Sequence, residues 1–211
     1  MPDTHGDYVW YELMTSDADA AQAFYEPLVG WSFAVGNAPG VDYRIGSKAG
    51  VDVVGLMQLT RDMTKGGARP AWVGYIAVDD IEATIPALKD KGGQVFMGPH
   101  HLENVGYMAM VADPQGAPFY LLQPEGEGSQ SFAKHKPREG HCAWNELASS
   151  DQDAAKVFYG DMFGWVQEGE MEMGPMGTYE FLRHTDYGIG AVMPLMPGMP
   201  ASAWSYYFRV P

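Results

Sequence analysis

A 22-residue stretch occurs twice in this chain, and it limits the architecture more than any other feature. Trp10 to Trp31 reads WYELMTSDADAAQAFYEPLVGW, and Trp144 to Trp165 reads WNELASSDQDAAKVFYGDMFGW, a constant 134 residues later. Twelve positions are identical, among them Trp10, Glu12, Leu13, Ser16, Asp17, Phe24, Tyr25, Gly30 and Trp31. Self-similarity at this density and fixed spacing means two copies of one domain. Within the stretch, Trp10 to Thr15 reads as a strand, with Trp10, Glu12 and Met14 on one face and Tyr11, Leu13 and Thr15 on the other. Ser16 and Asp17 are helix-capping residues. Ala20, Ala21, Phe24 and Leu28 recur at helical spacing and predict an apolar stripe against a sheet. Pro27 and Gly30 are read as ending the helix.

The rest of the chain extends this pattern. Strands are expected at Trp31 to Val35, Val41 to Ser47 and Val51 to Leu59, with Arg61 to Pro70 as a polar, Gly-rich connection. Ala71 to Val78 starts a second unit. Asp79 is placed as the cap of a helix over Ile81 to Lys91, shortened or kinked by Pro86. Strands at Gln94 to Met97, Gly106 to Ala112 and Ala117 to Gln123 follow, with Asp113 to Gly116 as a turn. The order strand, helix, three strands therefore occurs twice before residue 124. Domain boundaries are set at 1–124 and 140–211, with a linker at 125–139. The second copy runs through a helix at Asp151 to Phe163, and Trp204 to Val210 echoes Trp72 to Val78. A helix and three strands would be needed after Val210 to match the first copy. The expectation is that a longer protein continues beyond Pro211, or that another chain closes the open half.

A formal net charge of −14 without a basic cluster argues against nucleic acid. No apolar run is long enough for a membrane helix, and the N-terminus lacks signal-peptide order, so a cytoplasmic location is the default. Cys142 is the single cysteine and cannot pair within the chain. No phosphate-binding glycine loop or nucleophile elbow is present.

The repeated strand–helix order, the Ser-Asp start and Ala-Ala-x-x-Phe-Tyr run of the helix, the Gly-Trp after it and the Asp113-Pro-Gln-Gly116 turn resemble the vicinal oxygen chelate superfamily of glyoxalases, bleomycin-resistance proteins and extradiol dioxygenases. The resemblance implies an α+β fold of paired βαβββ modules, with mixed sheets curled around a cavity, here in tandem with the second copy truncated. It also implies a divalent metal held by His, Glu or Gln on inward strand positions. Those positions carry Trp10, Val73 and Tyr120 in the first copy, and Trp144 and Ser205 in the second. The fourth position falls on Gly55, Met57 or Leu59, with Gln58 beside them. Indole, isopropyl and phenol groups are not ligands of this kind, so the family's metal site does not carry over, and no cofactor is expected.

Glu12 and Glu146 follow their tryptophans by two residues and are expected to point inward, buried and hydrogen-bonded. Each is a candidate acid–base residue, or a carboxylate held by neighbouring groups for structure alone. Trp10, Val73, Tyr75, Tyr120, Trp144, Ser205 and Tyr207 are the candidate ligand-contacting residues. His100-His101 is placed in a solvated loop, and no histidine stands at ligand spacing. The leading expectation is a metal-free, glyoxalase-like protein that holds a small organic ligand in an aromatic cavity, with catalysis and a homodimer left open. The alternatives are a metal-dependent lyase or dioxygenase with unusual ligands, and an interaction protein whose cavity is filled by its own aromatics.

Overall fold

A computed structural model describes residues 3–210. The first copy builds one eight-stranded sheet. Its strands are β1 (Tyr8–Thr15), β2 (Ser32–Val35), β3 (Tyr43–Lys48), β4 (Val51–Gln58), β5 (Ala71–Ala77), β6 (Gln94–Leu102), β7 (Gly106–Ala112) and β8 (Pro118–Pro124). They lie in the order β2-β3-β4-β1-β5-β8-β7-β6. β1 runs parallel to β4, β5 runs parallel to β8, and β1 and β5 are antiparallel. Two βαβββ modules are therefore joined through their first strands, and the sheet stays open, with β2 and β6 at its edges. The second copy contributes β9 (Cys142–Ser149), β10 (Val166–Glu172), β11 (Thr178–His184), β12 (Tyr187–Pro194) and β13 (Ala203–Phe208). Their order, β10-β11-β12-β9-β13, repeats that of the first five strands. The α+β class and the paired-module architecture read from the sequence are those of the structure.

The helices are α1 (Ala18–Val29), α2 (Arg61–Lys65), α3 (Ile81–Asp90) and α4 (Gln152–Phe163). Local chemistry sets their ends. Asp17 accepts the Ala20 N–H at 2.9 Å and Asp151 accepts the Ala154 N–H at 3.0 Å, so equivalent aspartates start α1 and α4. Gly30 and Gly164 close the same helices at φ 77° and 70°, a left-handed conformation that glycine takes without strain. Pro27 lies inside α1 and does not end it. Asp80, not Asp79, caps α3, because its side chain reaches the Ala83 N–H at 3.0 Å. The connection after β4 holds α2, whose cap is the Thr60 hydroxyl on the Met63 N–H. His100 and His101 belong to β6, paired with Met108 and Tyr107, and not to a loop.

The largest difference from expectation concerns α1. Phe24 is 60% exposed and Leu28 47% exposed, whereas their α4 equivalents, Phe158 and Met162, are buried. The sequence stripe is nearly the same. What differs is the cover. α4 lies under α3 and the Asp113 turn, with Tyr159 donating to Asp113 at 3.1 Å and Lys91 paired with Asp161 at 2.7 Å. α1 packs its other side, through Ala18, Ala21 and Tyr25, on Leu13, Phe33, Leu56 and Trp72 of the sheet.

Two apolar bodies result. One joins both copies, bringing Tyr8, Tyr11 and Phe119 against Tyr159, Phe163, Trp165 and Trp204. The other covers one face of the first sheet and draws on the first copy alone: Val9, Met14, Leu59, Val73, Tyr75, Ala77, Met108, Tyr120 and Leu122, with Trp10, Met57, Met63 and Met110 against them.

Candidate functional site

Pleating sends Trp10, Glu12 and Met14 to this face. A register irregularity between Tyr8 and Trp10 turns Tyr8 the other way, so that it stacks with Tyr11 in the core shared by the two copies. Pairing then gathers the rest of the face. Glu12 stands between Gly55 and Val73, Trp10 opposite Tyr75, and Tyr75 opposite Tyr120. The Tyr75 and Tyr120 rings stack at 4.3 Å.

Glu12 is 5% exposed. The Tyr75 hydroxyl donates to Oε2 at 3.2 Å. The Tyr43 hydroxyl stands beside it and accepts from Trp10 Nε1 at 3.2 Å. No Lys, Arg or His among the described residues forms an ion pair with Glu12. Burial pushes its pKa up to about 7, and the Tyr75 and Tyr43 hydroxyls offset only part of that rise. Burial, with the Glu12 charge next, raises Tyr75, Tyr43 and Tyr120 well above the ordinary phenol range. The Tyr120 hydroxyl makes no hydrogen bond among the described residues.

The second copy rebuilds this constellation. Trp144 Nε1 donates to the Tyr179 hydroxyl at 2.7 Å, Tyr179 donates to Glu146 Oε2 at 2.7 Å, and Tyr207 donates to Oε1 at 3.0 Å. Glu146 lies between Ala191 and Ser205 in the sheet. Here both carboxylate oxygens are engaged and the site is more open: Glu146 is half-buried and Tyr207 is 48% exposed. Full burial, expected for both glutamates, holds for Glu12 and not for Glu146.

The structure thus collects Trp10, Glu12, Val73, Tyr75 and Tyr120 on one face, and Trp144, Glu146, Ser205 and Tyr207 on its counterpart. Tyr43 and Tyr179 complete the two sets and escaped the sequence reading. Their signal was a tyrosine near the start of the third strand of each copy, displaced by two residues from the 134-residue repeat. Gly55 makes room for Tyr43, since a Cβ there would meet the Tyr43 hydroxyl oxygen.

Other reactive groups lie elsewhere. The Cys142 thiol is buried in the shared core and pushed up to about 12 by that burial, which removes it as a nucleophile. His5 donates to the Met162 carbonyl, and His141 hydrogen-bonds the Gln130 carbonyl. No group of three or more His, Cys, Asp and Glu side chains that could hold a metal ion occurs among the described residues. Two clefts, of about 680 and 320 Å³, run along α3 and α4 and are separate from the Glu12 face. No helix among the described residues is long and apolar enough to cross a membrane.

A family model described as Glyoxalase/Bleomycin resistance protein/Dioxygenase superfamily matches residues 8–121. A Mycobacterium tuberculosis protein named "Putative glyoxylase CFP32" is 32% identical over 204 residues, covering 95% of this chain and 76% of that protein. Anthracycline biosynthesis protein DnrV of Streptomyces peucetius is 30% identical over 165 residues, covering 73% of this chain and 59% of that protein. Among solved structures, the Mn(II)-bound glyoxalase from Novosphingobium aromaticivorans superposes with a TM-score of 0.64 at 22% identity, over 94% of this chain and 62% of that one. The 2,2',3-trihydroxybiphenyl 1,2-dioxygenase from Sphingomonas wittichii gives 0.65 at 13% identity, over 93% and 71%. At such identities the structural likeness is one of fold.

Proposed function

The chain belongs to the Glyoxalase/Bleomycin resistance protein/Dioxygenase superfamily, and from that premise we propose that it binds a small, flat, partly apolar organic molecule at the Glu12 face, independently of a divalent ion. Family membership alone does not choose a chemistry, because one fold carries many. The observation that carries this reading is the Trp–Tyr–Glu–Tyr constellation, built twice on inward strand positions. At Glu12 a carboxyl group nearly sealed among aromatic rings costs stability. A ligand that uses it accounts for its retention there, and the more open Glu146 keeps the same set of groups around it.

The donor chemistry supports metal independence. The positions that the resemblance assigns to metal ligands carry Trp10, Val73 and Tyr120, none of which offers an imidazole or carboxylate, and Glu12 alone does not make a divalent site. The chain's own residues supply the binding surface. Trp10, Tyr43, Tyr75 and Tyr120 offer rings and hydroxyls, and Met14, Met57, Met108 and Met110 are unbranched side chains that repack around different shapes. A carboxyl group with a pKa of about 7 can also give or take a proton near neutrality. The name of the Streptomyces relative, given for anthracycline biosynthesis, agrees with a flat aromatic ligand.

The test is a thermal-shift screen of metabolites and antibiotics, run with a chelator present. The expected result is a hit whose shift survives chelation and shrinks in Trp10→Ala. A hit that needs an added divalent ion would favour a metal-dependent lyase or dioxygenase instead. The Tyr75–Tyr120 stack and the Met63 side chain over the face are what a self-filled interaction protein would also show, and a screen without hits would favour that reading.

A further inference from the structure

Three carboxyl side chains are deeply buried among the described residues: Asp7, Glu12 and Asp113. Asp7 has Lys134 Nζ at 2.6 Å and the Thr4 N–H at 2.8 Å. Asp113 receives the Gln115 and Ala117 N–H groups and the Tyr159 hydroxyl. Glu12 has the Tyr75 hydroxyl at 3.2 Å and the Tyr43 hydroxyl beside it, both neutral, and no Lys, Arg or His among the described residues pairs with it. Four aromatic residues, Trp10, Tyr43, Tyr75 and Tyr120, surround it, and the rest of the face is methionine and aliphatic. A desolvated carboxylate enclosed by electron-rich rings attracts a cation by direct charge and through the ring quadrupoles together. No basic side chain among the described residues belongs to this face, which disfavours anionic ligands. The −14 formal charge of the chain draws organic cations toward it.

We propose that the Glu12 face seats an organic cation, a protonated amine or quaternary ammonium group on a compact apolar body, with the Glu12 carboxylate as the counter-charge and Trp10, Tyr43, Tyr75 and Tyr120 as the walls. This rests on the small-molecule reading above and assigns the ligand its charge. Met57, Met63 and Met110, which lie over the face, are the flexible side chains that give way on entry.

Binding requires an ionised Glu12. The titratable groups that face it are Tyr43 from β3, Tyr75 from β5 and Tyr120 from β8, all neutral below pH 9 because burial raises them. β4 presents Gly55 and Met57, and the connection after it presents Met63 and Ala68, while its charged residues Arg61, Asp62, Lys65 and Arg69 lie at the surface. The pH dependence of binding is therefore that of Glu12.

The probes are choline and its uncharged isostere 3,3-dimethylbutan-1-ol, titrated calorimetrically into the full chain, Glu12→Gln and Glu146→Gln. At about pH 8 choline is expected to bind at least about tenfold more tightly than the alcohol. The preference should shrink by about pH 5.5, vanish in Glu12→Gln and persist in Glu146→Gln, with all three proteins melting cooperatively. Equal binding of the two probes, or a preference untouched by Glu12→Gln, would overturn the proposal. If neither probe binds while a neutral library compound gives a Trp10-dependent shift, the cation proposal falls and small-molecule binding stands. If neither the probes nor the library bind, both fall.

Discussion

Glu12 sits where the fold supplies the Tyr75 and Tyr43 hydroxyls and, among the described residues, no ion pair, so its proton becomes part of the folding equilibrium. In the unfolded chain the carboxyl group titrates near the ordinary value of 4.5, and in the fold near 7. Below the lower value it is protonated in both states and costs nothing. As pH rises through the window, the unfolded chain ionises first, and folding becomes progressively less favourable. Above the upper value the full cost remains, about 3 kcal/mol at about 1.4 kcal/mol per pH unit. Glu12→Gln should remove this slope. Urea unfolding at about pH 4.5 and pH 8 should show the variant gaining about 3 kcal/mol on the parent between the two; a pH-independent difference would mean that Glu12 is not sealed as described. Tyr75→Phe deletes the hydroxyl that favours the ionised form. It should move the Glu12 titration upward by about one unit, since a hydrogen bond to a charged group contributes about 1.5–3 kcal/mol and burial already dominates. Carbon-detected NMR of labelled glutamate reads that shift directly. At this scale the sequence exposed Trp10, Glu12 and Tyr75, because strand parity decides which way each points. Tyr43 was hidden because its place depends on the registers of β3 against β4 and of β4 against β1, which alternation alone does not reveal.

Helices α1 and α4 form a natural experiment at the scale of the element. Their caps are interchangeable and their apolar stripes nearly so, and both helices were legible from those signals. Which stripe is buried was not legible, since that depends on what lies across from it. Phe158 packs edge-on to Tyr159 at 5.1 Å beneath the cover of α3, while Phe24 projects into solvent. Phe158→Ala should therefore cost about 3–5 kcal/mol, the range for emptying a packed aromatic site. Phe24→Ala, at the matching repeat position, should stay within about 0.5 kcal/mol. Chemical unfolding of the two variants side by side checks this. Equal losses would show that α1 is covered as α4 is. Asp17→Ala and Asp151→Ala, by contrast, should each cost about 1 kcal/mol, because the two caps are made alike.

For the molecule as a whole, the two copies are joined by contacts that the repeat makes reciprocal. Trp31 Nε1 donates to the Gly140 carbonyl at 2.7 Å, and Trp165 Nε1 donates to the Gly6 carbonyl at 2.9 Å, each tryptophan reaching across to the other copy. Tyr11 donates to Asn145 Oδ1 at 2.8 Å, and the Tyr206 hydroxyl accepts the Gly74 N–H at 2.7 Å. Tyr8 is 1% exposed and stacks on Trp165 at 5.5 Å, so a ring of the first copy is sealed by one of the second. The tandem repeat announced two domains, but it could not announce this seam. Tyr11 and Asn145 occupy the same repeat position, and only the docked pair shows why one is a phenol and the other an amide. Separating the copies would expose Tyr8, Tyr11, Phe119, Tyr159, Phe163 and Trp165. At about 1.5–3 kcal/mol for each large apolar side chain, that loss is on the order of 10 kcal/mol, comparable to the whole stability of an ordinary domain. A state with one copy folded and the other unfolded is therefore not populated. Calorimetry should give a single endotherm whose calorimetric and van't Hoff enthalpies agree. Asn145→Ala, which removes the acceptor of Tyr11 and the donor to the Ile189 carbonyl, should move that one endotherm down without splitting it. A second resolved transition, in either protein, would show that the copies fold apart and that the shared aromatic seam is weaker than its burial implies.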